Sequence, residues 1–365
     1  MASSRLTVID AMRAIGSLAI VAHHLAFYGP MSDIVAQAVP AIMDGLVQYA
    51  RLAVHMFFVL GGFFTAAHLA PEGIARHVPW LHNVGRRYLR LVTPYLVAII
   101  FAMGVTACVR PWFDHDSLSR APDVLQVLAH AALMQDVFGI PALSAGVWYV
   151  AIDFQLFVFT VFLSSVVLAR IPWLAKRLPY AVLACMGLSL FFVNLRPEYD
   201  IYFTYFMGSY GLGMLAWWAV QARDPWALVG SMVLLCLGAL WYQFRLPLAV
   251  ALGTALFLVL AGRHQWLARW PAQSGWVWIG QRSYSIFLIH FGVCVGFNAV
   301  WSQAFPDGVY ANALGMVLAF FASIGAGHLL YRYVEKPSWR VGTQRAVRMV
   351  AAAVPAVLAL EWALS

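Results

Sequence analysis

From Tyr88 to Val109 the chain reads YLRLVTPYLVAIIFAMGVTACV, and beyond Arg90 no charged side chain appears until Arg110. As a helix this run is roughly 33 Å long at about 1.5 Å per residue, enough to cross a hydrocarbon core of about 30 Å. Comparable runs span Val8–Tyr28, Leu46–Leu69, Val147–Leu168, Leu178–Leu195, Ile201–Val220, Trp226–Tyr242, Leu246–Gly262, Tyr284–Val300, Tyr310–Val334 and Val347–Ala363, eleven in all. Of the 365 residues 63% are hydrophobic and only 10% charged, with a mean hydropathy of +0.78. A soluble domain carries about a quarter charged residues. A soluble enzyme, a disordered chain and a disulfide-rich module are therefore excluded. The prediction is an all-α, polytopic transmembrane bundle of about 10–11 spanning helices.

The net charge of +8 does not indicate nucleic acid, because the Lys and Arg residues sit at the ends of apolar runs. With the N-terminus in the cytoplasm and alternating spans, only Arg110, Arg120, Arg196 and Arg245 fall outside, and Arg13 and Arg51 fall within spans. The other 17 of the 23 Lys and Arg residues lie inside, the positive-inside pattern. Cys108, Cys185, Cys236 and Cys294 read as small buried apolar residues, with no spacing for a metal or a disulfide. The first run carries Asp10, Arg13, His23 and His24, unlike the core of a cleavable signal peptide. In the long outer connection, Val124–Phe138 reads as a half-buried or re-entrant helix. Residues 1–340 form the expected membrane domain, and 341–365 an additional C-terminal transmembrane helix.

Ionisable groups at bilayer depth are costly and mark candidate sites. In the first span Arg13 and His24 are eleven residues apart, so they share a helix face about 16 Å apart along the axis, with Asp10 and Ser17 on the same stripe. This is either a polar channel face or a packing stripe that satisfies itself. In the second span Gly61 and Gly62 favour close helix packing. Arg86, Arg87 and Arg90 suit phosphate or simply anchor topology. Asp153 orients a histidine, binds a sugar hydroxyl or pairs with an arginine. His290 is a second mid-membrane imidazole. Glu335 and Pro337 stand at an inner boundary.

In this order the pieces resemble the acyltransferase-3 family of integral-membrane O-acyltransferases. The likeness rests on Arg13 and His24, on Phe57-Phe58-Val-Leu-Gly61-Gly62-Phe63, on Arg87, Arg90 and Pro94, and on Trp148 with Asp153. It continues in Ser283-Tyr284-Ser285-Ile-Phe287-Leu288-Ile-His290 and closes on Glu335 and Pro337. Gly61 stands where the family usually has Ser, and Asp153 where Glu is common.

The resemblance implies transfer of an acyl group, usually acetyl, from cytoplasmic acyl-CoA to a hydroxyl of an envelope or exported polysaccharide or its lipid-linked precursor. The setting it implies is a bacterial inner membrane. Acyl-CoA is then a co-substrate, with no permanently bound cofactor, no metal and no nucleic-acid partner; nothing specifies an oligomeric state. Arg13, Arg86, Arg87 and Arg90 would hold the CoA phosphates. His24 would act as general base or acyl carrier. His290 would stabilise the oxyanion or orient the acceptor. Asp10 or Asp153 would fix an imidazole tautomer, and Trp148, Tyr149 and Glu335 would contact substrate. Two other classes fit buried Arg, His and Asp: a proton-coupled secondary transporter and a polysaccharide-export scaffold. The transporter would show inverted repeats, and none is found.

Overall fold

The structure, a computed structural model, describes residues 6–337 together with Gln344, Arg348 and Met349. The described chain is helical, without a strand. Twelve helices matter here: α1 (Thr7–Phe27), α2 (Pro30–Ala38), α3 (Pro40–Leu69), α4 (Trp80–Val109), α5 (Val124–Ala131), α6 (Val147–Arg170), α7 (Leu178–Val193), α8 (Phe203–Gln221), α9 (Trp226–Tyr242), α10 (Leu246–Arg263), α11 (Ser283–Ala304) and α12 (Val309–Glu335). Ten of the eleven expected segments are thus helices. Seven are long and apolar enough to cross a membrane, and α7 and α9 are shorter apolar helices. The eleventh segment, Val347–Ala363, and the division at residue 340 lie outside the described residues.

The chain forms two compact units. The first contains Val54–Tyr88 and Ala151–Ser274 with the start of α1. Here α3 and α8 cross backbone against backbone. A Cβ at Gly62 would run into the Tyr210 carbonyl, and one at Gly213 into the Val59 carbonyl, so both crossing points require glycine. Helix ends in this unit are closed by arginine. Arg245 donates to the Leu190 carbonyl at 2.9 Å, the Asn194 side chain at 2.8 Å and the Ala239 carbonyl at 3.2 Å. Arg263 donates to the Ala222 carbonyl at 2.9 Å. A guanidinium satisfies the orphaned carbonyls of a helix end and complements its dipole. That explains why Arg245 stands apart from the charge bias.

The second unit contains Met12–Ala53, Leu89–Val150 and the chain from Gly275 onward. Its core joins Val21 and Leu25 of α1 to Ile286 and Cys294 of α11 and Ala319 of α12. After α1 the chain turns at Gly29, whose φ of +110° and contact with the Asn298 carboxamide leave no room for a side chain. Asn298 fixes this turn: it donates to the Tyr28 carbonyl and accepts from the Met31 amide, each at 3.1 Å. Pro30 then opens α2 as a first-turn proline. Within α4, Pro94 has no N–H for the Arg90 carbonyl, and the Tyr284 hydroxyl bonds the next carbonyl, Leu91, at 2.9 Å.

In the long connection the helix expected over Val124–Phe138 is shorter. Asp123 caps α5 by accepting from the Gln126 amide at 2.6 Å, and the helix stops at Ala131. Leu133 takes φ +58° and Gly139 φ +65°, which breaks the helical run. Buried His130 pins the loop by donating to the Gln126 carbonyl at 2.7 Å and accepting from the Leu143 amide at 3.1 Å.

Candidate active site

The second unit holds two polar clusters on the same helices. The first is an imidazole pair. His24 lies in the last turn of α1 and His290 in α11, exposed by 8% and 1%. His24 Nδ1 is 2.6 Å from His290 Nε2. The ring centroids are 4.9 Å apart and the planes differ by 3°. That separation is what two imidazole radii and the N···N contact amount to when laid in line. The rings are therefore coplanar and joined edge to edge, not stacked face to face. His290 Nδ1 lies 2.7 Å from the Phe287 carbonyl oxygen.

Gly146, at φ +80°, brings its backbone against this pair: a Cβ there would stand 3.4 Å from His24 Cε1 and 3.2 Å from the Phe287 ring. Tyr149, one turn into α6, sets its ring edge-on to Phe287 with centroids 5.5 Å apart. Tyr28 lies 5.4 Å from the His24 ring, and His23 lies 5.0 Å from it. Cys294 Sγ faces the His24 and Tyr28 carbonyls.

The second cluster is ionic. Ser285 donates to Glu335 Oε2 at 2.6 Å, and the charges of Arg90 and Arg13 act on the same carboxylate. Helices α1, α4, α11 and α12 thus meet around one acid and two guanidinium groups. Ser285 precedes His290 by five residues, as Arg13 precedes His24 by eleven, so α1 and α11 run in the same direction. Alternation from a first to a ninth span requires that.

The first unit holds Arg87 and Asp153. Arg87 donates to Asp153 Oδ2 at 2.6 Å and lies over the Phe157 ring at 5.1 Å. Asp153 is 5% exposed, and its other oxygen has no hydrogen-bond partner. Of the alternatives open for this carboxylate, the structure gives the arginine pair. Nearby, Thr65 and Tyr210 share a hydroxyl–hydroxyl bond of 2.6 Å. Arg86 is exposed on α4, Arg90 is exposed one turn on, and Asp10 is buried in α1. Among the described residues no three His, Cys, Asp or Glu side chains gather as a metal-holding group.

Ser285, Tyr149 and His290 could be found from the sequence. The Phe287 carbonyl could not, because a backbone acceptor has no residue signature. Gly146 also carries a signal, since a glycine opening a span beside Trp148 points to a special backbone angle.

A family model described as an acyltransferase domain (Acyl_transf_3) matches residues 6–357, nearly the whole chain. The chain belongs to this acyltransferase-3 family and is a multi-pass membrane acyltransferase. No curated protein and no solved structure matches it.

Proposed function

We propose that this acyltransferase takes an acyl group, acetyl foremost, from acyl-CoA on the cytoplasmic side of a bacterial inner membrane. It delivers the group to a hydroxyl of an envelope or exported carbohydrate, or of its lipid-linked precursor. The observation that carries this reading is the joint placement in one unit of an arginine cluster and a buried imidazole pair. Both Arg13 and His24 stand on α1, about 16 Å apart along its axis.

The phosphates of CoA are anionic, and a guanidinium forks onto them bidentately. Arg90 and Arg13 are the cations of the cluster, with Arg86 exposed on the same helix as Arg90. From there the extended pantetheine arm carries the thioester along α1 toward His24. Trp148 and Tyr149 supply acceptor contacts beside Phe287. His24 takes the proton from the acceptor hydroxyl as that oxygen bonds to the thioester carbonyl carbon. The C–S bond then breaks, and the CoA thiolate recovers the proton. A site closed to water protects the thioester from hydrolysis.

The test is acetyl transfer from acetyl-CoA by the purified protein, together with mass spectrometry of surface glycans from cells with and without it. His24→Ala, with His23 intact, is expected to lose about 10²- to 10⁴-fold in turnover. Wild-type turnover in that variant removes His24 as base, and an unchanged glycan profile removes the carbohydrate acceptor.

A further inference from the structure

We infer that His290 is a positioning residue that fixes the tautomer of His24 and shares the charge His24 acquires; this rests on His24 being the base. The argument starts at the Phe287 carbonyl. A carbonyl oxygen only accepts, so the His290 Nδ1 lying 2.7 Å from it carries the hydrogen. In a neutral imidazole the other nitrogen then presents a lone pair. That nitrogen, Nε2, lies 2.6 Å from His24 Nδ1, so His24 Nδ1 carries the hydrogen and donates. The lone pair of His24 is left on Nε2, the edge of the ring turned away from His290. The coplanar, end-to-end arrangement of the rings is the geometry that such an N–H···N bond prefers.

The proton count supports the assignment. When His24 Nε2 takes a proton, the acceptor O–H bond breaks and an N–H bond forms. The N–H···N bond between the rings stays intact. The single positive charge is then shared: with the bridging proton on His24 it sits there, and with the proton on His290 it faces the Phe287 carbonyl dipole. In neither case does Nδ1 of His24 lose its partner. A second proton would set N–H against N–H, so the pair takes one proton and no more. The other titratable groups facing it are His23, Tyr28 and Cys294. A backbone carbonyl thus does, through one neutral imidazole, the orienting work that a buried carboxylate does in hydrolase triads.

The decisive measurement is ¹⁵N NMR of the full chain, histidine-labelled, in nanodiscs near neutral pH. His24 is expected to be protonated at Nδ1 and bare at Nε2. In His290→Phe, which keeps a flat ring and removes the acceptor, His24 should become a mixture of tautomers. Turnover should fall about 10²-fold or more, with the acyl-CoA KM unchanged. His290→Gln offers a carbonyl oxygen to the same hydrogen, so it should restore the tautomer and part of the turnover. A wild-type spectrum with His24 protonated at Nε2, or wild-type turnover in His290→Phe, overturns the inference. If the phenylalanine variant does not fold, the wild-type spectrum and the glutamine variant decide. If His24→Ala remains active while the spectrum shows the Nδ1–H form, the base reading fails and the tautomer stands.

Discussion

The Ser285 hydroxyl donates to the Glu335 carboxylate at 2.6 Å, tying the first turn of α11 to the last turn of α12 across fifty residues of chain. Arg13 and Arg90 act on the same carboxylate. The acid therefore ties two helix ends together within the field of two cations. Ser285→Ala removes a hydrogen bond to a charged group, and such bonds contribute about 1.5–3 kcal/mol. Because Glu335 is half-buried, a loss near the lower end is expected in denaturation measured in detergent. Unchanged stability would show that the bond is incidental.

Arg87 and Arg90 separate in their effects. Arg87 is engaged by Asp153, whereas Arg90 is exposed beside Glu335. Arg90→Ala should raise the acyl-CoA KM about tenfold, the loss of one charge-assisted phosphate contact. Arg87→Ala should act mainly on stability, because it strands a buried carboxylate, at about 1–3 kcal/mol after allowance for its partial exposure. Kinetics and melting of the two variants check this. Equal KM changes would place both on the phosphate.

Gly61 lets Asp153 lean against the α3 backbone. A Cβ at Gly61 would stand 2.7 Å from Asp153 Oδ1 and 3.2 Å from the Tyr210 ring. Gly61→Ala forces the carboxylate aside and should cost about 1–3 kcal/mol. Gly61→Ser brings the same Cβ but adds a hydroxyl that can donate to the oxygen lacking a partner. The serine variant should therefore melt higher than the alanine variant. The reverse order would mean that Oδ1 is already satisfied in solution.

His130 makes the outer connection sensitive to acid. Burial pushes its pKa below the ordinary 6.5, partly offset by its bond to the Gln126 carbonyl. The folded ring stays neutral and accepts the Leu143 amide. Above about pH 6.5 both folded and unfolded rings are neutral, and the contribution is complete. As pH falls below that value the unfolded ring protonates first, so stability is lost down to the folded-state pKa. Hydrogen exchange at Leu143, corrected for intrinsic rates, should quicken as pH falls below about 6.5. His130→Gln should abolish that dependence; an unaltered profile in the variant would assign it elsewhere.

The spans were readable because an apolar run long enough to cross lipid has few soluble uses. Their N-terminal ends were not. Helix α4 begins at Trp80 rather than Tyr88, and α3 at Pro40 rather than Leu46. Backbone hydrogen bonding continues where hydropathy fades, and Pro40 is a favourable first-turn residue. In the site, His24, His290, Arg90 and Glu335 each stood out as a polar group in an expensive place. Their pairing did not. His24 and His290 are 266 residues apart in the chain, and only packing through Val21, Leu25, Ile286 and Cys294 brings them together. Asp153 likewise left three options that periodicity could not rank, and its contact with Arg87 is visible only in the packed helices.

The sharp turn at Gly29 makes the two approaches to His24 unequal. The ring lies within a turn of the place where its helix stops, so only Leu25, Ala26 and Phe27 of α1 extend beyond it on that side. On the proposed reading, a donor held at Arg13 would reach along about half the length of α1, a task for a thin, flexible tether. On the same reading, an acceptor arriving from the opposite end would have only a short step to make, and a bulky sugar polymer would present one hydroxyl without entering the protein.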